Sequence, residues 1–156
     1  MLNENFKIVP VMNTTNFGAA LAGDSINMKN YHKCTFICTF GAIAGSIVMQ
    51  VFSGASDAAR TSALALKYAW SSAAIGSAAC DVVDDWATVA NTGVVVGDTA
   101  HDNFMLIIEV SATQMDLANN ENWLTIYPNA GTSGICHIVA VLEPRYGGNQ
   151  SATSLT

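Results

Sequence analysis

Three histidines, four cysteines and a close-set group of acids are the residues with which this 156-residue chain could do chemistry. His32 and Cys34 stand two residues apart and would share one face of a strand, and Cys136 adjoins His137, so a zinc site built across two strands would have ligands of the right type. Adjacent strand residues point to opposite faces, however, and neither C-x-x-C nor H-E-x-x-H occurs, so no metal site is expected. His101 beside Asp102 supplies a base and an orienting acid, and many serines could serve as nucleophile. No G-x-S-x-G elbow fixes them in space. Asp81, Asp84 and Asp85 lack the D-x-[DN]-x-[DN]-G order of a calcium loop and read as a solvated loop or the rim of a contact. The glycine stretches at 41–45, 131–134 and 147–148 have no P-loop lysine and read as turns. The expectation is a protein with no catalytic residue and no cofactor.

The aromatic residues Tyr68, Trp70, Trp86, Trp123 and Tyr127 could line a sugar-binding face, but aromatics that alternate in strands more often form core or cross-strand pairs. The cysteines read as reduced and buried. Cys34 and Cys38 on one strand would lie roughly 13 Å apart, beyond the reach of a disulfide.

Composition narrows the classes further. Hydrophobic residues make up 51% of the chain and charged residues 12%, about half the share of roughly 25% usual in soluble domains. Interface cores lose Lys, Glu and Asp in the same way, which points to assembly. A net charge of −6 offers no basic stripe for phosphates, so neither nucleic acid nor an anionic membrane is an expected partner. No apolar run is long enough to span a bilayer, and the first residues lack the basic and apolar regions of a signal peptide, so synthesis in a cytoplasm is expected.

The elements that must position these residues are strands. From Thr35 to Phe40 the apolar residues alternate with period two, and Ser46 to Phe52 follows after a glycine-containing connection, which predicts an antiparallel hairpin. Residues 55–70 are ambiguous between helix and strand, but Leu64, Leu66, Tyr68 and Trp70 alternate strictly, so the second half reads as strand after a short turn at Ser56 to Arg60. Further strands are expected at Gly93 to Val96, Phe104 to Ser111, Trp123 to Tyr127 and Ile135 to Leu142. The fold class is therefore all-β, an antiparallel β-sandwich or jelly roll. It divides into an N-terminal arm or edge strand (1–12), the sandwich (13–146) and a flexible C-terminal tail (147–156). Two strands are apolar on both faces, interrupted only at Glu109 and at His137, and such strands need cover on both faces. A neighbouring subunit is the expected second cover.

In outline the chain resembles small structural proteins of tailed-bacteriophage virions, of the capsid-decoration or cement type. The likeness lies in the arm Lys7-Ile8-Val9-Pro10-Val11, the segment Asp24 to Tyr31 leading into the strand at Thr35, the strand Phe104 to Val110 and the ending His137 to Tyr146. The resemblance implies a β-sandwich that reinforces the outer surface of a capsid, bound to the major capsid protein and assembled as a homo-oligomer, a trimer in the leading reading. Tail and head-completion proteins are similar in composition and form the alternative, with a carbohydrate-binding module behind them. Candidate capsid or subunit contacts are Phe6, Ile8, Val9 and Val11 of the arm, where Pro10 limits ladder pairing, together with Arg145 and Tyr146 at the end of the last strand.

Overall fold

The computed structural model describes residues 5–16, 21–129, 133–146 and 155. Eleven strands lie among them. In chain order they are β1 (Lys7–Asn16), β2 (Ile26–Asn27), β3 (Tyr31–Ile43), β4 (Ile47–Gly54), β5 (Ser62–Ala63), β6 (Leu66–Trp70), β7 (Ala87–Val89), β8 (Val94–Val96), β9 (Met105–Ser111), β10 (Trp123–Asn129) and β11 (Gly134–Pro144). All strand pairs are antiparallel. One sheet has six strands in the order β1-β11-β3-β9-β6-β7; the other runs β2-β10-β4, with β5 and β8 both paired to β4. The expected β-sandwich is what the chain forms.

Alternation makes the core. Cys34, Phe36, Cys38 and Phe40 of β3 point inward with Leu106, Ile108 and Val110 of β9, and they meet Ile47, Met49, Leu124 and Ile126 from the other sheet. Leu64, Leu66, Tyr68 and Trp70 also belong to this core or pack against it, as their strict alternation predicts. β3, β10 and β11 run past their expected ends where backbone pairing outlasts the apolar pattern, β4 begins one residue later and ends two later than expected, β8 and β9 each begin one residue late, and between Leu64 and Trp70 only Leu66 onward is strand.

The expected hairpin does not form. β3 pairs with β11 and β9, whereas β4 pairs with β10, β5 and β8. Residues 44–46 carry the chain from one sheet to the other, with Gly45 at φ 113. Periodicity reveals which face of a strand is buried but not which strand lies beside it, and a short glycine connection serves a corner between sheets as well as a hairpin.

β1 is an edge strand of its own sheet, paired along its length with β11, so of the two readings of the N-terminal segment the structure has the edge strand. Pro10 lies at this edge, where a missing N–H costs no central ladder bond. Ser56 to Arg60 forms a turn rather than a helix, with the Ala59 amide donating to the Ser56 carbonyl at 3.2 Å. That turn folds back over Gly54 so closely that a Cβ there would stand 2.6 Å from the Ala59 carbonyl oxygen.

Candidate functional site

Directly opposed residues of neighbouring strands share a face, so the register of the six-stranded sheet fixes what its outer side presents. Ile37 of β3 stands opposite Val139 of β11 and Ile107 of β9. Val139 in turn faces Pro10 of β1, and Ile107 faces Ala69 of β6. An apolar row therefore crosses five strands on the side away from the core, exposed at Pro10 and half-buried at Val139, Ile37 and Ile107, while Ala69 at its β6 end is buried. Ile8 (52% exposed) and Ile135 (45%) extend it near the β1 edge, and Val141, beside Ile8, is half-buried.

Charged side chains on two successive rungs flank the apolar row. Lys33 Nζ lies 2.9 Å from Glu109 Oε1, and Lys67 Nζ lies 3.8 Å from Glu109 Oε2 and 4.7 Å from the centre of the Trp86 ring. Glu143 stands opposite Lys33 in the register. Glu109 and Lys67 share one rung with Thr35 and Val141, and Lys33 and Glu143 share the next with Ser111, so the Lys33–Glu109 pair runs diagonally between rungs. Pairs exposed to this degree contribute at most about 1 kcal/mol each; their effect is to hold the long side chains in an ordered array. On the other flank His137 stands opposite Thr39, its Nδ1 buried without a hydrogen-bond partner among the described residues. Both interruptions that the sequence singles out, Glu109 and His137, fall on this outer face.

The candidate contact residues separate. Phe6 and Ile8 are outward and exposed, and Tyr146 is 72% exposed. Arg145 is half-buried, its Nε donating to the Tyr31 carbonyl at 3.0 Å. Val9 and Val11 are withdrawn: at 2% and 3% exposure they belong to the protein's own core, because β1 alternates and a bulge after Pro10 turns both Val11 and Met12 inward.

The residues weighed for chemistry are not brought together. His32 is exposed while Cys34 is fully buried, Cys136 faces the core while His137 faces outward, and among the described residues no three His, Cys, Asp or Glu gather into a metal site. His101 stacks on Trp70 with ring centres 4.1 Å apart, and its Nδ1 accepts from the Gly97 amide at 2.7 Å. Asp102 accepts from the Ile43 amide at 2.7 Å. Each side chain is thus engaged separately in holding a loop. Asp84 is engaged by the Ser72 hydroxyl. Burial pushes the Cys136 thiol up to about 12 and raises Cys34 and Cys38 well above the ordinary value, which removes the thiolate a nucleophile needs.

The aromatic residues are divided as well. Tyr68 and Trp70 pack against the core, Trp86 lies over Lys67, and Tyr127 belongs to the outer face of the other sheet, edge-on to Phe52 and covered by the Arg60 guanidinium at 4.0 Å. One buried acid escaped the sequence reading. Glu121 accepts from Ser53 Oγ at 2.5 Å and Ser62 Oγ at 3.1 Å, and nothing in its asparagine-rich neighbourhood marks it as interior.

Fold and surface together define a two-sheet β-sandwich whose larger sheet turns a half-buried apolar row and paired charges to the outside. The chain matches no protein-family model and no curated protein at a significant level.

Proposed function

We propose that this protein is a virion structural protein of the capsid-decoration type, without enzymatic activity, which binds the major capsid protein on the outer surface of a tailed-phage head and acts through contacts between proteins. The observation that carries this reading is the apolar row Pro10, Val139, Ile37 and Ile107 on the outer side of the sheet. A surface of this kind is suited to association, and monomers seldom leave a large apolar patch uncovered. The assignment to a phage head rests on the resemblance in the arm, the inner strands and the ending at Tyr146.

Burial of such a face contributes roughly 25 cal/mol per Å² of apolar area, and repeated sites on a shell add avidity. No nucleic-acid or membrane partner belongs to this reading. No helix among the described residues is long and apolar enough to cross a membrane. A sugar-binding role is disfavoured, because Arg60 occupies the ring face of Tyr127 on which a sugar would stack.

Labelling of assembled particles is the test. Label spread over the head is the expected result; label confined to the tail would replace this reading with that of a tail or head-completion protein.

A further inference from the structure

We infer that His101 is a pH-sensitive latch: its neutral ring holds the turn of residues 97–101 against Trp70, and protonation of the ring releases that turn and uncovers the face of Trp70. The latch belongs to the fold and does not depend on the proposed function.

The turn lies where the chain leaves β8 of one sheet for β9 of the other. The His101 ring stacks on Trp70 with centres 4.1 Å apart and planes 14° from parallel, and it meets Phe104 edge-on at 6.1 Å. Trp70 in turn lies 6.0 Å from Phe40 and packs against the core. Gly97 is fitted to the same histidine. Its amide donates to His101 Nδ1 at 2.7 Å, and a Cβ added at Gly97 would stand 3.3 Å from that nitrogen. The lack of a side chain at Gly97 permits this approach.

The bond exists in one protonation state only. To accept from Gly97, Nδ1 must keep its lone pair, so the ring is neutral with its proton on Nε2. Protonation sets an N–H on Nδ1 against the Gly97 N–H, and two donors then face each other. The surrounding charges are engaged elsewhere. Lys67 of β6 and Lys33 of β3 turn to Glu109 of β9 on the outer sheet face. After β6, Asp84 is held by the Ser72 hydroxyl, and Asp81 and Asp85 are exposed. In the turn's own connection Asp102 accepts from the Ile43 amide at 2.7 Å and Asp98 is exposed. β8 and the corner at residues 44–46 carry no charged residue. Burial displaces the His101 pKa downward from 6.5, so the solvated ring of the open turn takes up a proton more readily than the latched one. The latch is therefore closed above about pH 6.5 and opens as pH falls through the lower value of the latched ring.

The moving part is bounded by its own bonds. The Asn103 amide donates to the Gly41 carbonyl at 3.3 Å and the Ile75 amide to the Asn103 carbonyl at 2.6 Å. With the Asp102 bond, these hold the hinge without using the histidine ring. The turn itself has a weaker tie: the Asp98 amide reaches Ser46 Oγ at 3.4 Å, the long limit of a hydrogen bond. Thr99, a β-branched residue held at φ 54, relaxes when the turn is released.

Amide hydrogen exchange on the full chain, read residue by residue by NMR and corrected for the pH dependence of chemical exchange, tests the latch. Between about pH 7.5 and pH 5 the protection of the Gly97 amide should fall at least about tenfold while that of Ile43 and Ile108 holds. His101→Asn sets an acceptor oxygen at the branch position of Nδ1 and does not titrate, so Gly97 should stay protected at both pH values. His101→Phe keeps a ring on Trp70 without an acceptor, and Gly97 should exchange fast at both. Wild-type protection of Gly97 that does not change with pH would overturn the inference. An equal fall at Ile43 and Ile108 would overturn it as general unfolding, and the same acid response in His101→Asn would assign the release to a carboxylate instead.

Discussion

Ser53 and Glu121 form the most demanding polar contact in the interior, since both are nearly without exposure and the carboxylate relies on two serine hydroxyls. Removing one partner of a buried charged group leaves it under-solvated. Ser53→Ala is expected to destabilise the protein by about 1–3 kcal/mol, measured by urea unfolding, and a neutral substitution would mean that the carboxylate finds other solvation. Thiol chemistry gives a second test at this scale. Cys34, Cys38 and Cys136 are buried with raised pKa values, whereas Cys80 is half-buried. A disulfide reagent should therefore find one fast thiol among the four in the native protein; two or more would show that the core opens readily. His101 contributes to the acid limb of stability. Burial holds its pKa below the ordinary histidine value, so the unfolded chain binds the proton more readily, and its contribution is complete above about pH 6.5 and lost as pH falls through the folded pKa. Melting temperature should fall between about pH 7 and 5, and more gently in His101→Phe, which keeps a ring on Trp70 without a titrating group.

At the scale of elements, β1 shows both what a sequence discloses and where disclosure stops. Its apolar residues and Pro10 mark an edge or arm, but the choice between them depends on whether β11 lies alongside, and pairing across more than a hundred residues leaves no local trace. The same limit explains the missed corner between β3 and β4. Inward residues such as Phe36, Cys38, Leu66 and Ile108 were legible because burial of one face imposes period two on the strand itself. The outer row was only half legible: two-sided apolar strands announced an apolar outer face, yet the Lys33–Glu109–Lys67 array depends on register and could not be read from any one segment. With Val9 and Val11 in the core, deleting residues 1 to 11 should lower stability by about 3–6 kcal/mol, at roughly 1.5–3 kcal/mol per buried valine. Thermal unfolding measures it. An unchanged melting temperature would show that the segment contributes nothing to the core and acts as a detachable arm.

For the whole molecule the decisive feature is the position of the last strand. β11 lies between β1 and β3, pairing Ile138 with Cys38 on one side and Val9 with Ala140 on the other. Cys136, Ile138, Ala140 and Leu142 are all fully buried, so β11 supplies both the hydrogen-bond partner of β1 and a layer of the core. Until it arrives, β1 has no neighbour in its sheet and β3 is left as an open, strongly apolar edge, a template for aggregation. A chain ended at residue 133 is therefore expected not to fold: its circular dichroism should lack a cooperative thermal transition, and protease should degrade it much faster than the full chain. Because the central pairings join segments about a hundred residues apart, loop closure precedes most of the stabilising contacts, and refolding of the full chain should take milliseconds to seconds rather than microseconds. Stopped-flow refolding measures this directly. A cooperative transition in the truncated chain would show that β1 and β3 reach stable pairing without β11, and that the order of strands in the finished sheet does not govern its assembly.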